Sequence, residues 1–172
     1  MITLRNSSRK IILFAVILVL AVFLAGCGKK TVSIPRSGRI ISTEGSSKKG
    51  NSVVSVVRSQ IGKPYKWGGS SPAKGFDCSG LVWWVYNQHG VRIPRVSWQQ
   101  IDAGKPVHLS RIKAGDIVFF RIPGGGKSLH TGIYTGDGKF FVHSPKSGHY
   151  VREESMNKAY WRKYFIGARR VL

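Results

Sequence analysis

The chain has 172 residues, 42 % of them hydrophobic, and sets 28 Lys and Arg against 7 Asp and Glu for a net charge of +21. The apolar content is enough for one packed core, which excludes a wholly disordered chain, and the charge directs the surface toward anions. The charge defines no activity by itself.

Arg5, Arg9 and Lys10 precede an uncharged run from Ile11 to Ala25, which ends in Leu24-Ala25-Gly26-Cys27. A positive start, a short apolar stretch and small residues before a cut site describe a secretory signal over residues 1–26. The run is short of the roughly twenty residues that a membrane-crossing helix needs. Its ending resembles a bacterial lipobox, which implies cleavage before Cys27, lipid on that cysteine and a membrane anchor through it. Gly28 follows where an aspartate would suggest inner-membrane retention, so the resemblance favours an outer membrane facing the periplasm. Loss of residues 1–26 removes three basic residues and no acidic ones, which leaves 25 against 7, a net +18. An exported chain with this charge meets anionic lipid and cell wall, and no nucleic acid.

Residues 27–50, rich in Lys, Ser and Gly, read as a flexible lipid-anchored linker, and residues 51–172 as one domain. Asn51 or Ser52 is expected to cap a helix through Val53, Val54, Val57 and Ile61, stopped by Gly62 and Pro64. A second helix is expected from Ser79 to His89 with Leu81, Val82 and Val85 inward, and a short third from Trp98 to Ala103. The period then changes. Asp116 to Arg121, His130 to Thr135, Lys139 to Ser144 and Phe165 to Val171 are β-rich runs bounded by Gly, Pro and Asp. Helices followed by a strand meander predict an α+β fold, an antiparallel sheet with the central helix packed on it.

Cys78 falls at the start of that central helix, in Gly75-Phe76-Asp77-Cys78-Ser79-Gly80-Leu81. Unpaired N–H groups and the helix dipole favour a thiolate there. With Cys27 claimed by the export signal, Cys78 is expected to stay a free thiol or to pair between chains. Gly136-Asp137-Gly138 predicts a hairpin joining the two histidine-bearing strands. If Gly136-Asp137 is a two-residue loop, His130 faces His143 directly, with Cβ atoms about 5 Å apart on one face. Cys78 can then act as nucleophile, His130 as base and His143 as the group that orients His130. That chemistry needs no metal or cofactor.

Pro64-Tyr65-Lys66-Trp67-Gly68-Gly69, Phe76-Asp77-Cys78-Ser79-Gly80-Leu81-Val82, Ile93-Pro94-Arg95-Val96-Ser97, Ala114-Gly115-Asp116-Ile117-Val118-Phe119-Phe120 and His130-Thr131-Gly132-Ile133-Tyr134 closely resemble the NlpC family of papain-like cell-wall peptidases. The resemblance spans nearly all of residues 52–170 in family order. It implies a peptidoglycan hydrolase that cleaves stem peptides at the γ-D-glutamyl to meso-diaminopimelate bond through an acyl-enzyme. It also implies catalytic roles for Cys78, His130 and His143, an oxyanion or auxiliary role for Tyr65, and stem-peptide contacts from Asp77, Ser79 and Ser97. A free amino end of L-alanine is among the implied ligands. A monomer is expected.

Other readings stand beside this one. Cys78, His130 and His143 could be three zinc ligands. The fold could serve a silent binding or scaffold lipoprotein, or an amidase or acyltransferase. Trp67, Trp83, Trp84 and Trp98 read as core or cleft wall before a carbohydrate platform, and Asp77 could cap its helix as well as touch substrate.

Overall fold

The computed structural model describes residues 43–124, 126–127 and 129–172, so the expected signal segment, Cys27 and residues 28–42 lie outside the described residues. Gly50, Val53, Val54 and Val57 recur at helical spacing and are all buried, which makes them the inward stripe of α1 (Thr43–Arg58). The helix thus begins ahead of the expected cap at Asn51, and the boundary drawn between residues 50 and 51 falls inside it. Glycine conceals the start of the stripe. A Cβ on Gly50 would run into the Ala114 carbonyl, so the position is apolar and tightly packed without looking so in sequence.

After a two-stranded ribbon, β1 (Ser70–Ser71) and β2 (Gly75–Phe76), comes the central helix α2 (Cys78–Gln88). Asp77 starts it by accepting the Gly80 N–H, and Gly90, at φ +69°, lets the chain turn away beyond its end. Leu81, Val82, Val85 and Tyr86 are fully buried. The short α3 (Ser97–Gln100) lies one residue ahead of its expected start and ends three residues earlier. Its buried Gln100 donates to the carbonyls of Ser79 and Pro94, which ties α3 to α2.

Six antiparallel strands complete the domain: β3 (Lys105–Val107), β4 (Ile117–Phe120), β5 (His130–Tyr134), β6 (Phe140–His143), β7 (Arg152–Ser155) and β8 (Phe165–Arg170), in the order β3-β8-β4-β5-β6-β7. All four residues of β4 are buried because the sheet is covered on both faces. Ile117 and Phe119 join α1 and α2 in one core, while Val118 and Phe120 join Met156 and Trp161 in a second. Trp161 comes from α4 (Ala159–Tyr164). At roughly 25 cal/mol per Å² of apolar surface buried, such side chains each stabilise the fold by about 2 kcal/mol relative to exposure.

The β5–β6 hairpin corrects the expected register. Ile133 pairs with Val142 and Tyr134 with Phe141, and Thr135 donates its N–H to Phe140, so the loop is Gly136 to Lys139. Within this four-residue loop Asp137 accepts from Thr135 Oγ1 and from Arg58 of α1. Continued along the strands, this register sets Gly132 opposite His143. His130 lies diagonally across, still on the same face, because a slip of two residues preserves the pleat.

Candidate active site

Cys78 is the first residue of α2, on the floor of a cleft of about 400 Å³ lined by Tyr65, Trp67, Arg95, Ser97 and Trp98, among others. Its Sγ lies 3.9 Å from the Leu129 carbonyl, so the helix start abuts the residue before His130. Ser97 fixes that junction, its buried Oγ accepting the Leu129 N–H at 3.0 Å. Burial pushes the Cys78 thiol up to about 11, with the Asp77 charge acting the same way. Backbone N–H groups of Thr131, Ser79 and Cys78 itself pull in the other direction and lose. The donors expected of a helix start are present, but burial outweighs them and favours the thiol form.

His130 and His143 are both buried and meet edge to face, with His130 Nε2 2.7 Å from His143 Nδ1. This separation is a hydrogen bond and leaves no room for an ion between the two nitrogens, against a zinc site that uses this pair of atoms. With Nε2 engaged, Nδ1 is the His130 nitrogen left for a proton from the cleft. Burial lowers His130 to about 4, opposed by Glu154 and assisted by Arg152, and burial also carries His143 well below its usual range. Both rings are therefore neutral at neutral pH. His143 Nε2 is buried without a hydrogen-bond partner among the described residues.

Trp161 holds this pair. Its ring stacks on His130 at 5.3 Å and 25°, and meets His143 edge-on at 5.2 Å. Its indole N–H donates to Glu154, which pairs with Arg152 and Lys158. Nothing in the sequence singled out Trp161 or Glu154, which lie 31 and 24 residues beyond His130.

The implied substrate contacts all reach the cleft wall, where they are already engaged. Asp77 Oδ1 accepts from Gly80 N, Ser79 Oγ and Arg95 Nη1, and Oδ2 from Gly68 N and Arg95 Nη2. Ser79 also accepts from Arg95, and Arg95 donates to the Gly69 carbonyl. Arg95 stands within a recognised motif, yet its neutralisation of Asp77 carries no sequence signal. Tyr65 is half-buried beside the thiol. Burial, with the Asp77 charge acting in the same direction, raises its phenol. His89, His108 and His149 serve locally, His89 linking Ser52 to the Val85 carbonyl.

A cysteine opening the central helix, set against an antiparallel sheet that carries a buried histidine pair, defines a papain-like α+β domain. The chain belongs to the NlpC/P60 family, whose model matches residues 62–170. It is 47 % identical over 116 residues to murein DD-endopeptidase MepH of Escherichia coli, covering 66 % of this chain and 42 % of that protein. It is 40 % identical over 111 residues to the bifunctional muramidase/DL-endopeptidase CwlT of Bacillus subtilis, covering 64 % and 33 %. This chain thus spans less than half the length of either relative. Among solved structures, an NlpC/P60 family protein from Bacillus cereus superposes with a TM-score of 0.66 at 35 % identity, covering 72 % of this chain and 40 % of that one. The NlpC/p60 domain of the peptidoglycan hydrolase SagA gives 0.60 at 35 %, covering 70 % and 97 %.

Proposed function

We propose that the chain is a peptidoglycan endopeptidase of the cysteine type, with Cys78 as nucleophile, His130 as base and His143 as its orienting partner. The observation that carries this reading is the buried His130–His143 hydrogen bond, on a strand whose preceding residue touches Cys78 Sγ. His130 Nδ1 takes the thiol proton as sulfur attacks the amide carbonyl. The oxyanion forms beside the Cys78 N–H and the Tyr65 hydroxyl. The C–N bond then breaks as the imidazolium returns its proton to the leaving amine, giving a thioester. Water, deprotonated by His130, releases the acid and restores the thiol.

The bond proposed is γ-D-glutamyl to meso-diaminopimelate. The D,D crosslink is a second reading, favoured by the name of MepH. Lipid on Cys27 would hold the enzyme at a membrane, the outer one in a Gram-negative cell, where its charge suits an acidic wall; Leu24-Ala25-Gly26-Cys27 supports this part. Incubating the full chain with purified sacculi and weighing the products tests the proposal. Peptide-bond cleavage that vanishes in Cys78→Ala is expected, and unchanged sacculi would overturn it. Product masses identify the bond.

A further inference from the structure

Away from the Cys78 cleft, a hollow of about 850 Å³ opens on the face of the sheet that α4 covers, and it shares no lining residue with the cleft. Its floor is apolar: Tyr134 and Met156 belong to the second core, and Ile112 and Phe165 pack against it. Leu109 lines the same hollow with 50 % of its surface exposed. Lys139 and Arg162 line it as well, and both are exposed. A smaller hollow of about 520 Å³ shares His108 and Ser110 with the first and adds the exposed Lys105 and Arg111. No acidic residue lines either hollow, and among the described residues the side chains of these four cations have no ion pair or hydrogen bond. Lys139 is also the one non-glycine residue among those described with a positive φ, +61°. A lysine kept where glycine would fit more easily points to a use for its ammonium.

The two hollows together define the chemistry of what covers them. A simple anion or a charged polymer would satisfy the four cations and leave the apolar floor wet, whereas a neutral apolar ligand would leave the cations without a partner. An acyl chain that ends in a phosphate meets both needs. Lys and Arg side chains suit such a boundary, because their stems lie along apolar surface while their charges reach the headgroups. We infer that this face docks on an anionic phospholipid bilayer, with Leu109 and the apolar hollow toward acyl chains and Lys105, Arg111, Lys139 and Arg162 toward phosphates. The contact belongs to the folded domain and is independent of any lipid on Cys27. α2, which opens with Cys78, packs in the main core on the other face of the sheet, so docking keeps the cleft clear of the lipid.

Hydrogen–deuterium exchange of the full chain tests this, because it reports the hollows separately from the apolar run at residues 11–25. With vesicles of phosphatidylglycerol and phosphatidylcholine, amides in 105–112 and 156–165 are expected to exchange about tenfold or more slowly, while those in 65–69 and 95–98 stay unchanged. Phosphatidylcholine alone should give less than about a twofold effect. Lys139→Gly/Arg162→Gln should cut the slowing to about threefold or less, and Lys139→Gly suits the backbone at that position. Leu109→Ser, at an exposed site, should also cut it and carries the test if the double variant fails to fold. Equal slowing by phosphatidylcholine, unchanged slowing in the variants, or vesicle binding with no slowing at 105–112 and 156–165 overturns the inference. The same slowing by soluble polyphosphate without lipid would assign the face to a charged polymer and also overturns it.

Discussion

Replacing Trp161 with alanine removes the wall that separates the histidine pair from water. The ring is 7 % exposed and lies 4.8 Å from Phe120, 5.0 Å from Phe141, 5.2 Å from His143 and 5.3 Å from His130, centroid to centroid. Truncating a buried aromatic of this kind costs about 3–5 kcal/mol, the lost transfer energy plus the cavity left behind. Glu154 loses the indole donor but keeps Arg152 at 2.7 Å, so this loss adds only about 1 kcal/mol. Against a typical domain stability of about 5–15 kcal/mol, a combined loss of about 4–6 kcal/mol removes about a quarter of the stability or more. Trp161→Phe keeps most of the stacking surface and should lose about half as much. Urea unfolding followed by circular dichroism at pH 7 measures both. A Trp161→Ala loss under about 1 kcal/mol at an unchanged m-value would refute the packing argument.

Gly80→Ala should destabilise by about 2–4 kcal/mol, because a Cβ there overlaps the Gly69 carbonyl and comes within 2.8 Å of Arg95 Nη2 and 2.9 Å of Asp77 Oδ1, breaking the α2 cap; a urea midpoint equal to wild type would contradict this. Between the ordinary histidine value and about 4, the unfolded chain binds a proton at position 130 that the native state does not. That contribution to stability is complete above about pH 6.5 and is lost as pH falls through this window, with His143 acting in the same direction. Urea midpoints measured from pH 7 to pH 4.5 should therefore fall, and the double variant His130→Gln/His143→Gln should fall less steeply. Parallel slopes would place the proton uptake elsewhere. His130→Ala should lower kcat/KM on a soluble muropeptide by about a hundredfold or more and His143→Ala by less, since in the proposed mechanism the first removes the base and the second only its orientation; equal losses would contradict the division of roles.

What the sequence conveyed well was local. Asp77 ahead of Cys78 and Gly90 after Gln88 bracket α2 to within one residue, and the Ile117–Phe120 run is a strand because both of its faces are covered. What stayed hidden depends on distant partners. The hairpin loop is joined to α1 by Arg58 reaching Asp137, 79 residues away. The edge strands β3 and β7, with Lys105 and Pro106 in one and Arg152, Glu153 and Glu154 in the other, carry the charges and proline that protect a sheet edge and mask its pattern. At the candidate site, residue type and spacing singled out Cys78, His130 and His143, and the structure pairs the two histidines and sets Cys78 against Leu129. The raised thiol could not be picked out in this way, because burial decides it. Nor could the engagement of Asp77, which requires Arg95 to fold back across 18 residues.

The covalent intermediate tests the account most directly. Acid quenching of the full chain during turnover of a muropeptide, followed by peptide mapping, should find the acyl half of the cleaved stem peptide joined through a thioester to Cys78. The adduct should be absent in Cys78→Ser. Steady cleavage with Cys78 unmodified at every time point, or with wild-type rates in Cys78→Ser, would contradict nucleophilic attack by this sulfur.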